Sequence, residues 1–132
     1  YKKMTVVAID QLQDLIEKLK SGSIIRKKQN HNKSNSWRKR GMLDGKIDWR
    51  MTARSIHNLI RGLSHPYAGA HFEFGEKKIK VWESELLIDK RKNIEPGKII
   101  ESGKRIVIKA GQDSVILKKT DPPIELTKGT YL

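Results

Sequence analysis

Hydrophobic positions change their spacing once along this chain, from a helical period to an extended one. Over residues 3–21 they recur every three or four positions, which predicts an amphipathic helix that stops at Gly22. The same spacing over residues 52–64 predicts a second helix with Thr52 as its N-cap. From residue 70 the period becomes two, which indicates strands.

Five extended segments follow the second helix, and glycine-containing turns separate most of them. Apolar and polar residues alternate within these segments, as they do in half-buried strands. The predicted strands are residues 70–74, 78–87, 98–101, 105–110 and 114–119. Strands this short need a packed or closed sheet to be stable, which predicts an antiparallel barrel or sandwich of about five strands.

The two predicted helices differ in what their apolar faces can pack against. The second helix should pack on the sheet through Ile56, Leu59, Ile60 and Leu63. The first helix has a similar stripe, but a lone amphipathic helix cannot bury such a face by itself. We therefore expect the first helix to belong to a domain that the chain otherwise lacks.

Charge and composition narrow the class of partner. The 132-residue chain has a net charge of +13, which favours polyanions such as RNA, DNA, nucleotides or anionic membrane surfaces. It has no cysteine, so it has no disulfide, thiol nucleophile or thiolate metal site. No apolar run approaches membrane-spanning length and no signal peptide is evident, so we expect a cytoplasmic protein without a membrane partner.

A basic linker, residues 23–46, connects the second helix to the first. Within it the basic arm, Arg26–Arg40, carries seven basic residues, no acidic residue and several loop-forming Asn and Ser. It is either a solvated linker or an electrostatic footprint for a phosphate-bearing substrate. The candidate substrate-binding residues are Arg26, Lys27, Lys28, Lys33, Trp37, Arg38, Lys39 and Arg40.

Two tryptophans lie close to these cations. Trp37 is inside the basic arm and Trp49 follows the linker. Aromatic side chains among cations can stack on bases. An aromatic beside a folded domain more often packs against that domain, so packing is the favoured prediction for both indoles and base stacking is the alternative.

Recognisable catalytic chemistry is absent from the sequence. There is no glycine-rich phosphate loop, metal-ligand spacing or nucleophile elbow. His57 and His65 are isolated histidines, which we expect to be surface or partly packed residues rather than ligands. We therefore assign no catalytic residue and no metal site to this chain.

The most specific pattern runs from Asp44 to Ala70. It begins Asp-Gly-Lys-Ile-Asp-Trp, continues through a helix that ends Ile-Arg-Gly-Leu, and closes with His-Pro-Tyr-Ala-Gly-Ala. Together with Lys80-Val81-Trp82, it resembles the formyltransferase superfamily at the junction between a Rossmann-like catalytic domain and a small OB-like C-terminal domain. The chain departs from the usual pattern at Gly62, where Ala is common, and at Ala68, where Pro is common.

The resemblance covers the chain from the first helix to about Lys119, and it implies both a fold and a division. The fold would be mainly β with two helices: a small OB-like antiparallel β-barrel preceded by an amphipathic helix and a basic linker. Residues 1–22 would be the terminal helix of a missing Rossmann-like catalytic domain, residues 23–46 the basic linker, and residues 47–132 the OB-like domain.

The resemblance also implies where the chemistry lies. The superfamily's Asn-x-His pair and later Asp belong to its catalytic domain, so Gln29-Asn30-His31, in the basic arm, is interpreted as a decoy. The cofactor 10-formyltetrahydrofolate would be bound by that missing domain and by nothing in this chain. We therefore expect the isolated chain to have no formyltransferase activity.

Two acceptors compete under this resemblance. The basic arm and the charge favour methionyl-tRNA, whereas His65-Pro66-Tyr67 is closer to the amino-sugar-nucleotide branch, which the motif detail favours slightly. The implied partners are one of these acceptors, the chain's own N-terminal catalytic domain, and possible pairing as a homodimer. The alternatives are a stand-alone basic OB-like nucleic-acid-binding module and a purely structural C-terminal cap.

Overall fold

The structure, a computed structural model, describes residues 2–132 and divides into two compact units. The first unit ends at Arg38 and the second begins at Lys39. The first contains helix α1 (Lys2–Lys20) and a 3-10 turn (His31–Lys33). The second contains a 3-10 turn (Met42–Gly45), helix α2 (Ala53–Leu63) and strands β1 (Ala70–Phe74), β2 (Lys77–Leu87), β3 (Ile99–Glu101), β4 (Ile106–Lys109) and β5 (Ser114–Asp121).

Helix α1 stops at the predicted glycine. Gly22 has a φ of 67°, which glycine adopts without strain. Its N–H donates to the Leu19 carbonyl at 3.2 Å, and the Ser23 N–H donates to the Lys18 carbonyl at 3.0 Å. These two bonds form a Schellman motif. Every described side chain of α1 is exposed, and none of the described helices is long and apolar enough to cross a bilayer.

The five strands form one antiparallel sheet in the order β1-β2-β5-β4-β3. The sheet is a curled half-barrel. Strand β2 carries register shifts between Val81 and Ser84, and bulges of this kind bend a strand. The prediction of a mainly β chain with two helices and a small barrel-like antiparallel sheet is therefore confirmed.

Both edges of the sheet are met by other segments. On the β1 side, the Ile47 N–H donates to the His71 carbonyl at 2.7 Å. On the β3 side, the Ile99 N–H donates to the Thr130 carbonyl at 2.9 Å, and the Gly129 N–H donates to the Ile99 carbonyl at 2.8 Å. Pairing at an edge satisfies backbone groups that would otherwise invite another strand.

Helix α2 packs on the sheet through the predicted face. The side chain of Thr52 accepts the Ser55 N–H at 3.1 Å, which confirms the N-cap. Ile56 and Ile60 are fully buried, while Leu59 and Leu63 are partly buried against the same core. The main core cluster consists of Ile47, Trp49, Ala53, Ile56, Ile60, Ala70, Phe72, Ile79, Val81, Ile99, Ile108, Ala110, Val115, Leu117 and Leu126. A second, smaller cluster consists of Ile100, Val107 and Ile116.

Candidate functional site

The signature segment, residues 44–70, begins with a backbone turn. The Asp44 carboxylate accepts the Gly41 N–H at 2.7 Å, so it reaches back to the residue that caps the 3-10 turn. Two residues beyond Gly45, Ile47 joins the edge of the sheet through His71. The opening of the most specific sequence pattern therefore works as a connection between the linker and the sheet.

Asp48, Trp49 and Arg50 fix the next part of the segment. The Asp48 carboxylate accepts bonds from the Arg50 guanidinium, at 2.6 Å from Nη2, and from the Arg50 backbone N–H at 3.0 Å. These bonds lower the pKa of Asp48 to about 2. Trp49 is buried and meets the Phe72 ring edge-to-face, with centroids 5.5 Å apart. The packing predicted for Trp49 is confirmed.

The β4–β5 turn holds this part of the segment from the other side. The Gly111 N–H lies 2.9 Å from the carbonyls of both Trp49 and Met51, and the Ala53 N–H donates to the Gln112 carbonyl at 2.9 Å. A Cβ at position 111 would lie 2.1 Å from the Arg50 carbonyl oxygen. The approach is therefore possible only because residue 111 has no side chain.

The exit of the segment packs against β2. His65 stacks on Trp82 with ring centroids 3.9 Å apart and an interplanar angle of 13°, and the peptide bond between His65 and Pro66 is cis. Gly69 has a φ of 86°, and a Cβ there would lie 3.0 Å from the Trp82 ring. The prediction that His65 is a surface or partly packed residue is confirmed, since it is exposed yet stacked on Trp82.

His57 has a local partner of the same kind. Its Nδ1 lies 3.0 Å from the Ser84 hydroxyl on β2. Among residues 2–132, no three His, Asp or Glu side chains come together in a way that could hold a metal ion. His57 and His65 therefore each contact a residue of β2 within the second unit.

A cleft of about 680 Å³ opens where the signature segment begins. Two ion pairs line it: Lys46 with Glu73 at 2.7 Å, and Arg50 with Asp48 at 2.6 Å. The hydrogen bond from Lys46 lowers the pKa of Glu73. Because each of these cations faces a carboxylate, the cleft offers little uncompensated charge to an anionic ligand.

The basic arm is exposed to solvent along its length. All eight candidate residues are exposed: Arg26, Lys27, Lys28, Lys33, Trp37, Arg38, Lys39 and Arg40. Trp37 is 82% exposed, so the packing predicted for it is wrong. The physical reason is local, because the arm supplies polar and charged neighbours and no apolar surface on which an indole could be buried.

One turn interrupts the arm. The Asn30 side chain accepts the Asn32 N–H at 3.0 Å, and the Ser34 hydroxyl donates to the His31 carbonyl at 2.7 Å. These contacts make Gln29-Asn30-His31 the entrance to an exposed 3-10 turn. The Asn30 side chain and the His31 carbonyl therefore take part in a local turn, and the interpretation of this triplet as a decoy stays a prediction.

Sequence reasoning missed an anchored cluster in the charged loop after β2. The Asp89 side chain, 2% exposed, accepts the Ser114 hydroxyl at 2.6 Å and Arg91 Nε at 2.8 Å. The bonds from Arg91, followed by that from Ser114, hold the pKa of Asp89 well below its usual range despite burial. The run Lys90-Arg91-Lys92 was visible, but nothing local indicated that Asp89 would be buried on β5.

Arg91 also belongs to a group of cations around one carboxylate. The hydrogen bonds from Arg105 are the main cause of the lowered pKa of Glu101, and the charges of Arg91 and Lys128 add to it. Arg105 Nη2 lies 2.9 Å from a Glu101 oxygen. This second basic surface therefore contains a carboxylate at its centre, unlike the basic arm.

Comparison with known proteins identifies the family. The sequence model described as "Formyl transferase, C-terminal domain" matches residues 42–125, which is more than half of the chain. The chain belongs to this family. The matched range contains the signature segment, α2 and all five strands, so the resemblance seen in the sequence is confirmed and the formyltransferase C-terminal domain is the packed second unit.

Two individual proteins extend this result. A methionyl-tRNA formyltransferase of Acetivibrio thermocellus is 29% identical over 123 residues, covering 90% of this chain and 38% of that protein. The chain thus spans about two fifths of the length of this curated relative. A solved structure of a HypX variant from Aquifex aeolicus covers 86% of this chain and 20% of that one, with 14% identity and a TM-score of 0.62, which shows a shared fold.

Proposed function

We propose that this chain is the C-terminal portion of a formyltransferase that transfers a formyl group from 10-formyltetrahydrofolate to the amine of a phosphate-bearing acceptor. The observation that carries the proposal is the basic arm. It is an exposed run of seven cations without a carboxylate, in a chain that belongs to the formyltransferase C-terminal domain family. In this proposal the arm positions the acceptor, and a catalytic domain outside this chain binds the folate.

The chemistry of the described residues supports a positioning role. Formyl transfer to an amine needs a general base and a donor that stabilises the oxyanion. In the signature segment the Asp48 carboxylate is occupied by Arg50, and its pKa is too low for a base at neutral pH. His71 is buried, and burial, followed by the charge of Lys78, lowers its pKa. The ion-paired Asp48 and the buried His71 are therefore poor candidates for the general base.

An amino-sugar nucleotide is the first candidate acceptor. The exit of the signature segment, His65-Pro66-Tyr67, supports it because it resembles that branch of the superfamily. A nucleoside diphosphate would present two phosphates to the arm. Methionyl-tRNA is the second candidate, supported by the net charge of +13 and by the name of the similar protein from Acetivibrio thermocellus.

The salt dependence of binding tests the proposal and separates the two acceptors. Each phosphate contact lowers log affinity by roughly 0.7–0.9 per unit of log salt concentration. A sugar nucleotide should therefore give a slope of about one or two, and a tRNA a slope of several. Titration of the chain with UDP-sugar and with tRNA, begun at low ionic strength, measures both slopes.

A charge-matched pair of variants locates the contacts. Arg38→Gln, Lys39→Gln and Arg40→Gln together should weaken binding and flatten the slope. The control replaces the exposed Lys77, Lys104 and Lys128 with Gln, which removes the same charge outside the arm. If the two triple variants behave alike, the arm has no special role. If neither ligand binds there, in this chain or in the complete enzyme, the arm is only a solvated linker.

The stand-alone nucleic-acid-binding module predicts a different pattern in the same titration. Such a module would bind RNA without preference for an acceptor tRNA over an unrelated RNA of equal length. A clear preference for tRNA or for the sugar nucleotide would argue against it.

A further inference from the structure

We propose that Trp37 is a stacking platform for a nucleobase, and that the cations next to it in the sequence hold the phosphate attached to that base. This inference rests on the proposed function, because it assumes that the basic arm receives the acceptor. It goes further by assigning a second mode of recognition, an aromatic contact, to one residue of the arm.

The first argument is the contrast among the three tryptophans. Trp49 and Trp82 are 7% and 8% exposed, whereas Trp37 is 82% exposed. The two buried indoles meet aromatic partners, Phe72 and His65 respectively. An indole carries a large apolar surface whose exposure to water is unfavourable, so an exposed Trp on a polar segment is a candidate contact residue.

The second argument is the charge that follows Trp37 directly. Arg38, Lys39 and Arg40 are the next three residues, and Lys33 lies four positions before. An extended chain spans at most about 3.3–3.6 Å per residue. The backbone of each of these cations therefore lies no more than about 15 Å from that of Trp37. A nucleotide presents a flat π-face and, one sugar away, an anionic phosphate. Aromatic side chains beside cations are the usual way to bind both.

The composition of the arm favours a nucleotide over an anionic membrane. A membrane-surface segment needs an apolar face as well as cations. Within the arm, Trp37 is the one large apolar side chain, and the residues between the cations are mainly Asn and Ser. Ile25, exposed just before the arm, does not form a helical stripe with it. Amide and hydroxyl groups suit ribose and base edges instead.

Two ligands share this chemistry: the nucleoside diphosphate of a sugar nucleotide, and an unpaired base of an RNA. A paired base inside a duplex does not expose its π-face and would not stack on Trp37. The experiment therefore compares UDP, ADP, a short single-stranded oligoadenylate, the duplex of the same length, and ribose 5-phosphate, which carries the phosphate without the base.

Quenching of tryptophan fluorescence by acrylamide detects the contact selectively. Acrylamide reaches the exposed Trp37 far more readily than the buried Trp49 or Trp82. We expect base-bearing ligands to quench the fluorescence and to protect Trp37 from acrylamide. Ribose 5-phosphate and the duplex should bind through charge without either effect. Quenching by UDP or ADP identifies a free nucleotide as the ligand, and quenching by the oligoadenylate alone identifies unpaired RNA.

Variants of Trp37 supply the second readout, with affinity measured calorimetrically. Stacking on one base is worth an effect of about 5- to 150-fold in affinity, so Trp37→Leu should weaken binding by that factor without changing the salt slope. Trp37→Phe, which keeps an aromatic ring, should recover part of the loss. Because Trp37 is exposed, the circular dichroism of both variants should match that of the parent chain.

The outcomes separate this inference from the proposed function. A steep salt slope with no effect of Trp37→Leu would overturn stacking and leave the phosphate footprint intact. If Trp37→Leu weakens binding but the triple variant Arg38→Gln, Lys39→Gln and Arg40→Gln does not, stacking stands and the phosphate contacts of these cations are overturned. A shift of Trp37 emission on phosphatidylserine vesicles but on none of the nucleotide probes would assign the arm to membranes and overturn the inference, as would the absence of all binding.

Discussion

The signature segment and the basic arm differ in two ways: how distinctive their sequences are, and how exposed their side chains are. The segment, residues 44–70, lies within the range that the family model matches, and Asp48, Trp49 and His65 in it contact other residues of the second unit. The arm, Arg26–Arg40, carries no distinctive pattern, and all its candidate side chains are exposed. A distinctive motif can therefore mark the scaffold of a domain, while an exposed basic segment beside it carries no distinctive motif.

The physical cause lies in what each segment must satisfy. Residues 44–70 include α2 and contact the edge of the sheet and the β4–β5 turn. Their buried backbone groups therefore need hydrogen-bond partners, and their buried side chains must fit a closely packed core. The side chains of the arm are exposed to water, so the fold constrains the overall polarity of the arm more than the identity of each residue. The contrast can be tested by comparing stability losses in the two regions.

The largest expected effect is in helix α2. Ile60→Ala removes a fully buried side chain from the core, and the free energy of unfolding should fall by about 2–5 kcal/mol. Leu59→Ala should cost less, because Leu59 is partly exposed. Urea denaturation of the chain measures both changes.

The matched control is in the arm. Lys27→Gln and Lys28→Gln should each change the free energy of unfolding by no more than about 0.5 kcal/mol, because both lysines are exposed. An arm variant as destabilising as Ile60→Ala would show that the arm is part of the packed fold.

A second prediction compares the basic arm with the charged loop after β2, which contains Asp89. Asp89→Asn should lower the free energy of unfolding at neutral pH by about 1.5–3 kcal/mol, since it weakens charged hydrogen bonds around a nearly buried carboxylate. The folded-state pKa of Asp89 lies below its ordinary value of 3.8, so its contribution is complete above that value and is lost as the pH falls through the folded-state pKa.

The measurement is a series of urea denaturations between neutral pH and acid. The parent chain should lose stability in acid more steeply than Asp89→Asn, which lacks the titrating group. Asp48→Asn, at an exposed ion pair, is the control and should have a much smaller effect at neutral pH. Parallel acid profiles for the parent and Asp89→Asn would contradict the role given to Asp89.

The last prediction concerns the close approach of Gly111 to the Arg50 backbone. Gly111→Ala should destabilise the chain by about 1–3 kcal/mol, because the new methyl group would lie 2.1 Å from the Arg50 carbonyl and must displace backbone. Gly62→Ala is the control: nothing lies near its added Cβ, and alanine favours a helix, so stability should rise by up to about 1 kcal/mol. Thermal denaturation distinguishes the two signs, and a neutral Gly111→Ala would show that the turn can move away.

Local periodicity was sufficient to predict most of the elements. The predicted bounds of β2 and β5 differ from those observed by no more than two residues, and the two helices lie where their apolar stripes placed them. Alternation marks β2, where the more exposed Lys78 and Lys80 flank the buried Ile79. In β5 residues 114–117 are all buried, because Ile116 packs with Ile100 and Val107 in a second apolar cluster. The exposure of the seven arm cations also follows from composition alone.

Contacts between distant residues could not be predicted in the same way. Nothing near Gly111 indicates that the Arg50 carbonyl will face it, and nothing near Asp89 indicates that Ser114 will. Both contacts depend on how β5 is paired. For Trp37 the general tendency of indoles to pack gave a wrong prediction, because burial depends on the apolar neighbours that a segment supplies.

The pairing of Gly129 and Thr130 with β3 has a practical consequence. These residues, with Leu132 bonded to Gly97, cover the outer edge of β3. A version shortened before Gly129 would present Ile99–Glu101 as a free template for other molecules, which favours aggregation during expression and storage.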